Sequence, residues 1–104
     1  MPLFRSFDLA VIESVFAKRG IHILERFGDG QTRWGNQPLP EKGKQFKGKS
    51  CMASRYEPYS TSTGKDFYDI FTIRAIIGKL GYGDDTEAIE AEIEEADLLA
   101  SEKD

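Results

Sequence analysis

The C-terminal 21 residues restrict the possible folds more than any other segment of this chain. Residues 84–104 hold ten acidic residues and one base, Lys103, which gives the segment a net charge of −9. Within it, the stretch 85–101 is rich in Ala, Glu and Leu, and its early acids suit the N-terminus of a helix. Its apolar residues form one narrow stripe, made of Ile89, Ile93, Ala96, Leu99 and Ala100. The pattern therefore predicts an acidic helix that packs a thin apolar face on the rest of the chain.

The remainder of the chain has the opposite charge. Residues 1–83 contain 13 bases and 8 acids, a net charge of +5, whereas the whole chain has a net charge of −4. The hydrophobic content of 39%, with seven Phe, four Tyr and one Trp, is enough for a single small core. We therefore expect one domain, in which a compact basic body (residues 1–83) carries an acidic C-terminal helix (residues 84–104).

Both helix and strand signals occur in the basic body. Residues 7–19 have the broad apolar stripe of a packed helix, with Ser6 available as its cap and Gly20 at its end. The runs 20–27 and 31–35 predict two strands that are joined by a tight turn at Asp29-Gly30. A connector rich in Pro, Gly and Lys follows in "NQPLPEKGK".

A second hairpin is predicted from the facing patterns of residues 46–56 and 67–77. If Phe46 pairs with Ile77 and the strands run antiparallel, one face of the hairpin is apolar throughout. The intervening "EPYSTSTGK" then connects the strands; it lacks the first glycine of a Walker phosphate loop, and a strand pattern follows it. The predicted fold class is α+β, with an N-terminal helix, an antiparallel sheet of about four strands and an acidic C-terminal helix.

The other face of this hairpin forms a predicted basic strand face, which consists of Lys47, Lys49, Arg55, Tyr68 and Arg74. Lys49 opposite Arg74 is unfavourable unless an anion lies over the pair, although flexible, solvated cations can also splay apart. The anion would be nucleic acid, carboxylates of a partner, or the acidic helix of this chain. We predict that the acidic helix docks over this face, on Cys51, Ala53, Ile70 and Ile76.

No catalytic, metal or cofactor site is predicted. His22 is the only histidine and Cys51 the only cysteine, and neither has partners of suitable type and spacing nearby in the sequence. No apolar run approaches the roughly 18 residues that span a bilayer, and the N-terminus lacks the order of a secretory signal. The sequence thus favours a cytoplasmic protein that is not an enzyme and does not bind membranes.

Three functions remain open. The favoured one is a non-enzymatic inhibitor or modulator of a nucleic-acid-handling host protein, as small acidic phage and mobile-element products often are. Its partner would have a basic, nucleic-acid-binding surface and would meet a phosphate-like site on the acidic helix. This predicted site consists of Asp84, Asp85, Glu87, Glu90, Glu92, Glu94, Glu95 and Asp97.

The alternative function is binding of single-stranded nucleic acid by the basic strand face. Tyr68, Trp34 or Tyr59 would then stack on bases, and the acidic tail would be an internal competitor. The inhibitor ranks higher because a pI near 5.0 opposes unaided approach to DNA. The third possibility is a structural subunit of an assembly, and the oligomeric state stays open.

Overall fold

The computed structural model describes residues 5–102, apart from the side chains of Pro58, Tyr59 and Ser62. These residues form an α+β fold in which five strands make two sheets, an antiparallel pair β1-β5 and a three-stranded sheet of order β2-β3-β4. The elements are β1 (Ser6–Asp8), α1 (Leu9–Lys18), β2 (His22–Arg26), β3 (Gln31–Gly35), β4 (Ser50–Ser54), α2 (Glu57–Thr63), β5 (Phe67–Asp69), α3 (Ile70–Lys79) and α4 (Thr86–Glu102), with a 3-10 turn at Gly83–Asp85.

Two segments of the chain repeat one pattern. Each has a three-residue strand, an aspartate that caps the following ten-residue helix, and a glycine with positive φ just beyond that helix. We call β1-α1 with its glycine the first βα unit and β5-α3 with its glycine the second. Alignment of the two units gives identical residues at four positions: Asp8 with Asp69, Ile12 with Ile73, Lys18 with Lys79, and Gly20 with Gly81.

The two βα units are related by an approximate twofold axis. Their strands pair antiparallel with each other. The Leu9 N–H donates to the carbonyl of Asp66 at 2.9 Å, and the equivalent Ile70 N–H donates to the carbonyl of Arg5 at 2.8 Å. Equivalent groups therefore make equivalent bonds, so the units form one symmetric framework.

Each helix of this framework buries the same face. The buried positions are equivalent in the two units: Leu9, Ile12, Val15 and Phe16 in α1, and Ile70, Ile73, Ile76 and Ile77 in α3. Trp34 of β3 is fully buried and makes edge-on contacts with Phe16 and Tyr68, at centroid distances of 5.3 and 6.1 Å. Its indole N–H donates to the Tyr68 hydroxyl at 3.3 Å. One aromatic cluster thus joins the three-stranded sheet to both βα units.

The C-terminal helix α4 packs mainly on α1. Ile89 and Ile93 of its apolar stripe are fully buried. The prediction that this helix docks over a face with Cys51 and Ala53 at its centre is therefore wrong. Although α4 is 17 residues long, neither it nor any other helix within residues 5–102 is long and apolar enough to cross a bilayer.

The structure confirms the N-terminal helix, the C-terminal helix and the first hairpin. β2 pairs with β3 across the predicted turn, where Gly30 adopts a φ of +89°. The cap of α1 is a correction. Asp8 accepts a hydrogen bond from the N–H of Ala10 at 2.9 Å, whereas Ser6 belongs to β1.

The predicted hairpin between residues 46–56 and 67–77 is wrong. β4 pairs with β3 instead, residues 70–79 form α3, and most of the predicted connection is the short helix α2. The apolar residues of α3 recur at intervals of three and four, and Asp69 caps the helix by accepting from the N–H of Thr72. Residues 70–79 therefore form a helix and not a strand of the predicted hairpin. The structure has two small sheets in place of the predicted sheet of about four strands.

Candidate partner-binding surface

The acidic residues of α4 and of the turn before it divide into two sets. The first set holds the helix on the body through ion pairs with arginines from three different parts of the chain. The pairs are Glu90 with Arg74 of α3, Glu92 with Arg19 at the end of α1, and Glu94 with Arg5 before β1. These three carboxylates belonged to the predicted partner site, and their first role in the structure is to fix α4.

The Glu92 pair shows this role most clearly. The Arg19 guanidinium contacts the Glu92 carboxylate at 3.0 Å through each of two nitrogens. The hydrogen bond from Arg19 lowers the pKa of Glu92 from its ordinary value of 4.5, and the same bond raises the pKa of Arg19. Glu92 therefore stays ionised, and paired with Arg19, to a lower pH than a glutamate without such a partner.

The second set has no arginine partner, and not all of it faces away from the body, because Glu95 lines a cavity with Ser14, Val15 and Lys18 of α1. It forms no ion pair with any residue in the described range 5–102 and consists of Asp84, Asp85, Glu87, Glu95, Asp97 and Glu102. All of these except Asp97 are exposed. We call the surface that they form with the exposed leucines Leu98 and Leu99 the outer face of α4.

Apolar side chains lie among the unpaired acids of the second set. Leu98 and Leu99 are 64% and 53% exposed, whereas Ile93 on the opposite side of the helix is fully buried. Glu87, Leu98 and Glu102 are separated by multiples of about 3.6 residues and so share one side of α4. The outer face therefore offers both negative charge and apolar contact area.

The aromatic residues that were predicted to stack on bases are not available at a surface. Tyr68 and Trp34 are both fully buried and satisfy each other through their hydrogen bond. The side chain of Tyr59 lies outside the described part of the structure.

The basic strand face is not formed. Arg74 lies on α3 and is paired with Glu90, and Arg55 follows β4 and contacts Glu57 and Asp66 at 2.9 and 3.0 Å. The hydrogen bonds that Arg55 donates to these two carboxylates raise its pKa.

The lysines predicted for this face lie elsewhere. Lys47 and Lys49 belong to the loop between β3 and β4, so they do not share a strand face with Arg74. The predicted face depended on a hairpin register that α3 replaces.

His22 and Cys51, for which no catalytic role is predicted, lie on strands β2 and β4. His22 is partly exposed on β2, and within residues 5–102 no three His, Cys, Asp or Glu side chains lie together as a metal site. Burial raises the pKa of the Cys51 thiol, and the charge of Lys79 opposes that shift only in part. The thiol is therefore protonated near neutral pH, which makes it a weak nucleophile.

One surface was missed entirely by the sequence analysis. A groove of about 500 Å3 lies between β4 and α3, with Met52 on one wall and Ala75 on the other. The helical period of residues 70–77 was the signal that would have revealed it, because a helix beside β4 is what creates the groove.

Comparison of the chain with protein-family models, with curated proteins and with solved structures gives no match in any of the three searches.

Proposed function

We propose that this chain is a non-enzymatic, cytoplasmic binding protein that inhibits or modulates a nucleic-acid-handling protein, in the manner of phage and mobile-element products. The outer face of α4 meets a basic surface on the partner, where nucleic acid would otherwise lie. One observation carries the proposal: three carboxylates of α4 form ion pairs with the body, whereas four others on α4 and two in the turn before it form none in the described range.

Electrostatics supports this use of the outer face. Glu87 and Glu95 are about 12 Å apart along the axis at 1.5 Å per residue, more than the Debye length of about 8 Å, so their direct interaction is largely screened. The summed charge of the unpaired acids still makes this surface negative, which attracts a basic surface and accelerates encounter. Adjacent acids such as Asp84 and Asp85 repel each other, and a cationic partner relieves that repulsion.

The exposed leucines supply the other part of the interaction. Charge complementarity mainly sets the rate and orientation of association, whereas buried apolar anchors contribute most of the affinity. Leu98 and Leu99 are the exposed large apolar residues of α4. The proposed partner surface is therefore basic, with an apolar depression that accepts one or both leucines.

The same geometry gives less support to binding of single-stranded nucleic acid by this chain. Two of the three aromatic residues considered for stacking, Trp34 and Tyr68, lie in the core. Base stacking contributes about 1–3 kcal/mol per base to such binding, and phosphate contacts alone leave it weak and sensitive to salt.

The proposal is tested with two double variants that change the net charge equally. Glu87→Lys with Glu95→Lys alters the outer face, and Glu25→Lys with Glu41→Lys alters exposed acids of the body. Each immobilised protein is incubated with a nuclease-treated lysate. We expect the wild type and the body variant to capture the same protein, and the outer-face variant to lose it.

The captured protein must then respond to nucleic acid. A short DNA or RNA oligonucleotide should release it, because both ligands use its basic surface. Equal capture by the outer-face variant would contradict the proposal, as would capture that the oligonucleotide does not affect.

A further inference from the structure

One edge of the three-stranded sheet has no partner strand within residues 5–102. Hydrogen bonds from the Arg55 N–H to the carbonyl of Gly30 (3.2 Å) and from the Asn36 N–H to the carbonyl of Lys49 (3.1 Å) fix the phase of the β3-β4 ladder. In an antiparallel ladder, alternate residues direct their N–H and C=O groups to opposite sides. The backbone N–H and C=O groups of Ser50, Met52 and Ser54 therefore point away from β3. No other backbone hydrogen bond in the described range involves these groups.

This edge has no charge, proline or bulge that would prevent a further strand from pairing. The opposite edge strand, β2, has an irregular register between Ile23 and Glu25 and carries the charged Glu25 and Arg26. β4 has the sequence "SCMAS", a regular register, no proline and no charge. An uncharged, regular edge strand is a template for another extended chain.

The unpaired edge runs along the groove between β4 and α3. Apolar groups from both elements line it, namely Met52, Ala53, Ala75 and Ile76. A groove between an edge strand and a helix can accept the side chains of a strand that adds to the edge.

The two ends of the groove differ in charge. Lys79 lines the groove at the C-terminal end of α3, and Asp69 lines it at the other end. Lys49 lies near Lys79, because the Asn36 side chain accepts from the Lys49 N–H (2.8 Å) and donates to the Leu80 carbonyl (3.2 Å). Neither lysine forms an ion pair within residues 5–102.

We propose that the β4 edge binds an extended segment of a partner protein as an added antiparallel strand. Alternate side chains of this segment enter the groove, and an acidic group near its C-terminal end faces Lys49 and Lys79. The direction follows from the geometry, since an antiparallel strand ends where β4 begins. This binding mode does not depend on α4 or on the function proposed for it.

A second copy of this chain would be the other occupant of the edge, with its own β4 paired about Met52. Lys49 of each copy would then lie opposite Arg55 of the other, a residue that already has two carboxylate partners, Glu57 and Asp66. A partner segment with an acidic end instead supplies a carboxylate to Lys49 and Lys79, which form no ion pair within residues 5–102.

The probe for this site is a library of random octapeptides displayed on phage and selected against the immobilised full chain. Selected peptides are synthesised and their binding is measured by fluorescence polarisation. N-methylation of each peptide bond in turn removes one N–H at a time without any change to the protein. We expect affinity to fall at least about tenfold at every second position, because only alternate residues of a strand bond to β4.

A matched pair of variants tests the charged end of the groove. Lys79→Glu should weaken the selected peptides about five- to tenfold, because it replaces an attraction by a repulsion. Lys18→Glu makes the same change at the equivalent position of the first βα unit and should leave affinity unchanged.

Four results would overturn the proposal. They are a failure to select any peptide, an N-methylation profile without alternation, equal binding by the Lys79→Glu variant, and a dimer of the free chain that Met52→Pro abolishes. The last result would assign the edge to a second copy.

Discussion

The two βα units share one framework but are covered by different elements. In the first unit, α4 packs along α1, whereas in the second unit α3 packs chiefly beside β4. The half-buried Glu13 of α1 pairs with Arg26 of β2 at 3.2 Å, and its equivalent on α3, Arg74, pairs with Glu90 of α4. Equivalent positions thus carry opposite charges, and each contacts an opposite charge on the neighbouring element.

This difference distinguishes two groups of residues. One group forms the core of each βα unit, and the other contacts the element that packs against the unit. The buried positions agree in both units, with Ile12 and Ile73 fully buried in each case. Just beyond the helices the units diverge: Arg19 is partly exposed and binds Glu92, whereas its equivalent Leu80 is buried. Burial therefore fixes the repeated framework, while half-exposed positions determine which element covers each helix.

The largest expected effect tests whether the two units are equal parts of one core. Ile12→Ala and Ile73→Ala each remove a fully buried side chain and should each reduce the free energy of unfolding by about 2–5 kcal/mol. Urea denaturation followed by circular dichroism measures both. The control Leu98→Ala removes apolar atoms at a 64% exposed position and should change stability by less than about 0.5 kcal/mol. A small loss in one unit beside a large loss in the other would show that the symmetric framework does not carry stability equally.

The second effect concerns the position where the units differ by one hydroxyl group. Phe7 in the first unit is equivalent to Tyr68 in the second, and the Tyr68 hydroxyl accepts from the Trp34 indole N–H. Tyr68→Phe leaves that buried N–H without a partner and should cost about 1–3 kcal/mol in urea denaturation. Tyr82→Phe is the control, because no described hydrogen bond uses the Tyr82 hydroxyl, and it should be nearly neutral. Equal effects of the two variants would show that the hydrogen bond adds nothing.

The glycines beyond the two helices give a smaller and unequal effect. Both have positive φ, +83° at Gly20 and +93° at Gly81, so alanine at either position should cost about 1–2 kcal/mol. At Gly20 an added Cβ would also lie 3.3 Å from the Tyr82 hydroxyl, whereas at Gly81 the nearest atom is the end of the flexible Lys49 side chain. We expect thermal unfolding to show a larger decrease in Tm for Gly20→Ala than for Gly81→Ala. The reverse order would mean that the Tyr82 contact is unimportant.

The sequence predicted the elements whose signals are local. The period of α1, the composition of α4 and the Asp29-Gly30 turn each identify an element without reference to the rest of the chain. Residues 67–77 fit two patterns. A cross-strand pairing with residues 46–56 places the apolar residues on one face, and a helical period does so equally well. The pairing predicts a hairpin, whereas the repeat that relates this segment to the first βα unit indicates a helix. An alignment of Asp8 with Asp69 would have favoured the helix.

The candidate site was predictable only in part. The acidic composition of residues 84–104 is a property of the sequence, but which carboxylates turn inward depends on where three distant arginines lie. Arg5, Arg19 and Arg74 come from separate elements, and no spacing within α4 identifies their partners. The groove beside β4 could not be predicted either, because one of its walls is α3 and the sequence pattern predicted a strand there.

The smallest expected effect tests the ion pair that ties α4 to the first βα unit. Because Arg19 lowers the pKa of Glu92 in the folded state, ionised Glu92 stabilises the fold at pH values above its unfolded pKa. That contribution is lost as the pH falls from about 4.5 through the lower, folded value. Glu92→Gln removes the titrating group, so the stability difference between wild type and variant should be greatest near neutral pH and vanish in acid. Glu95→Gln is the matched control on the same helix, since Glu95 forms no ion pair in the described range and its replacement should give no such pH dependence. Urea denaturation between pH 3 and pH 7 measures both differences. A Glu92→Gln difference that stays constant across this range would mean that the contact with Arg19 does not depend on charge, and α4 would then be held on α1 by Ile89 and Ile93 alone.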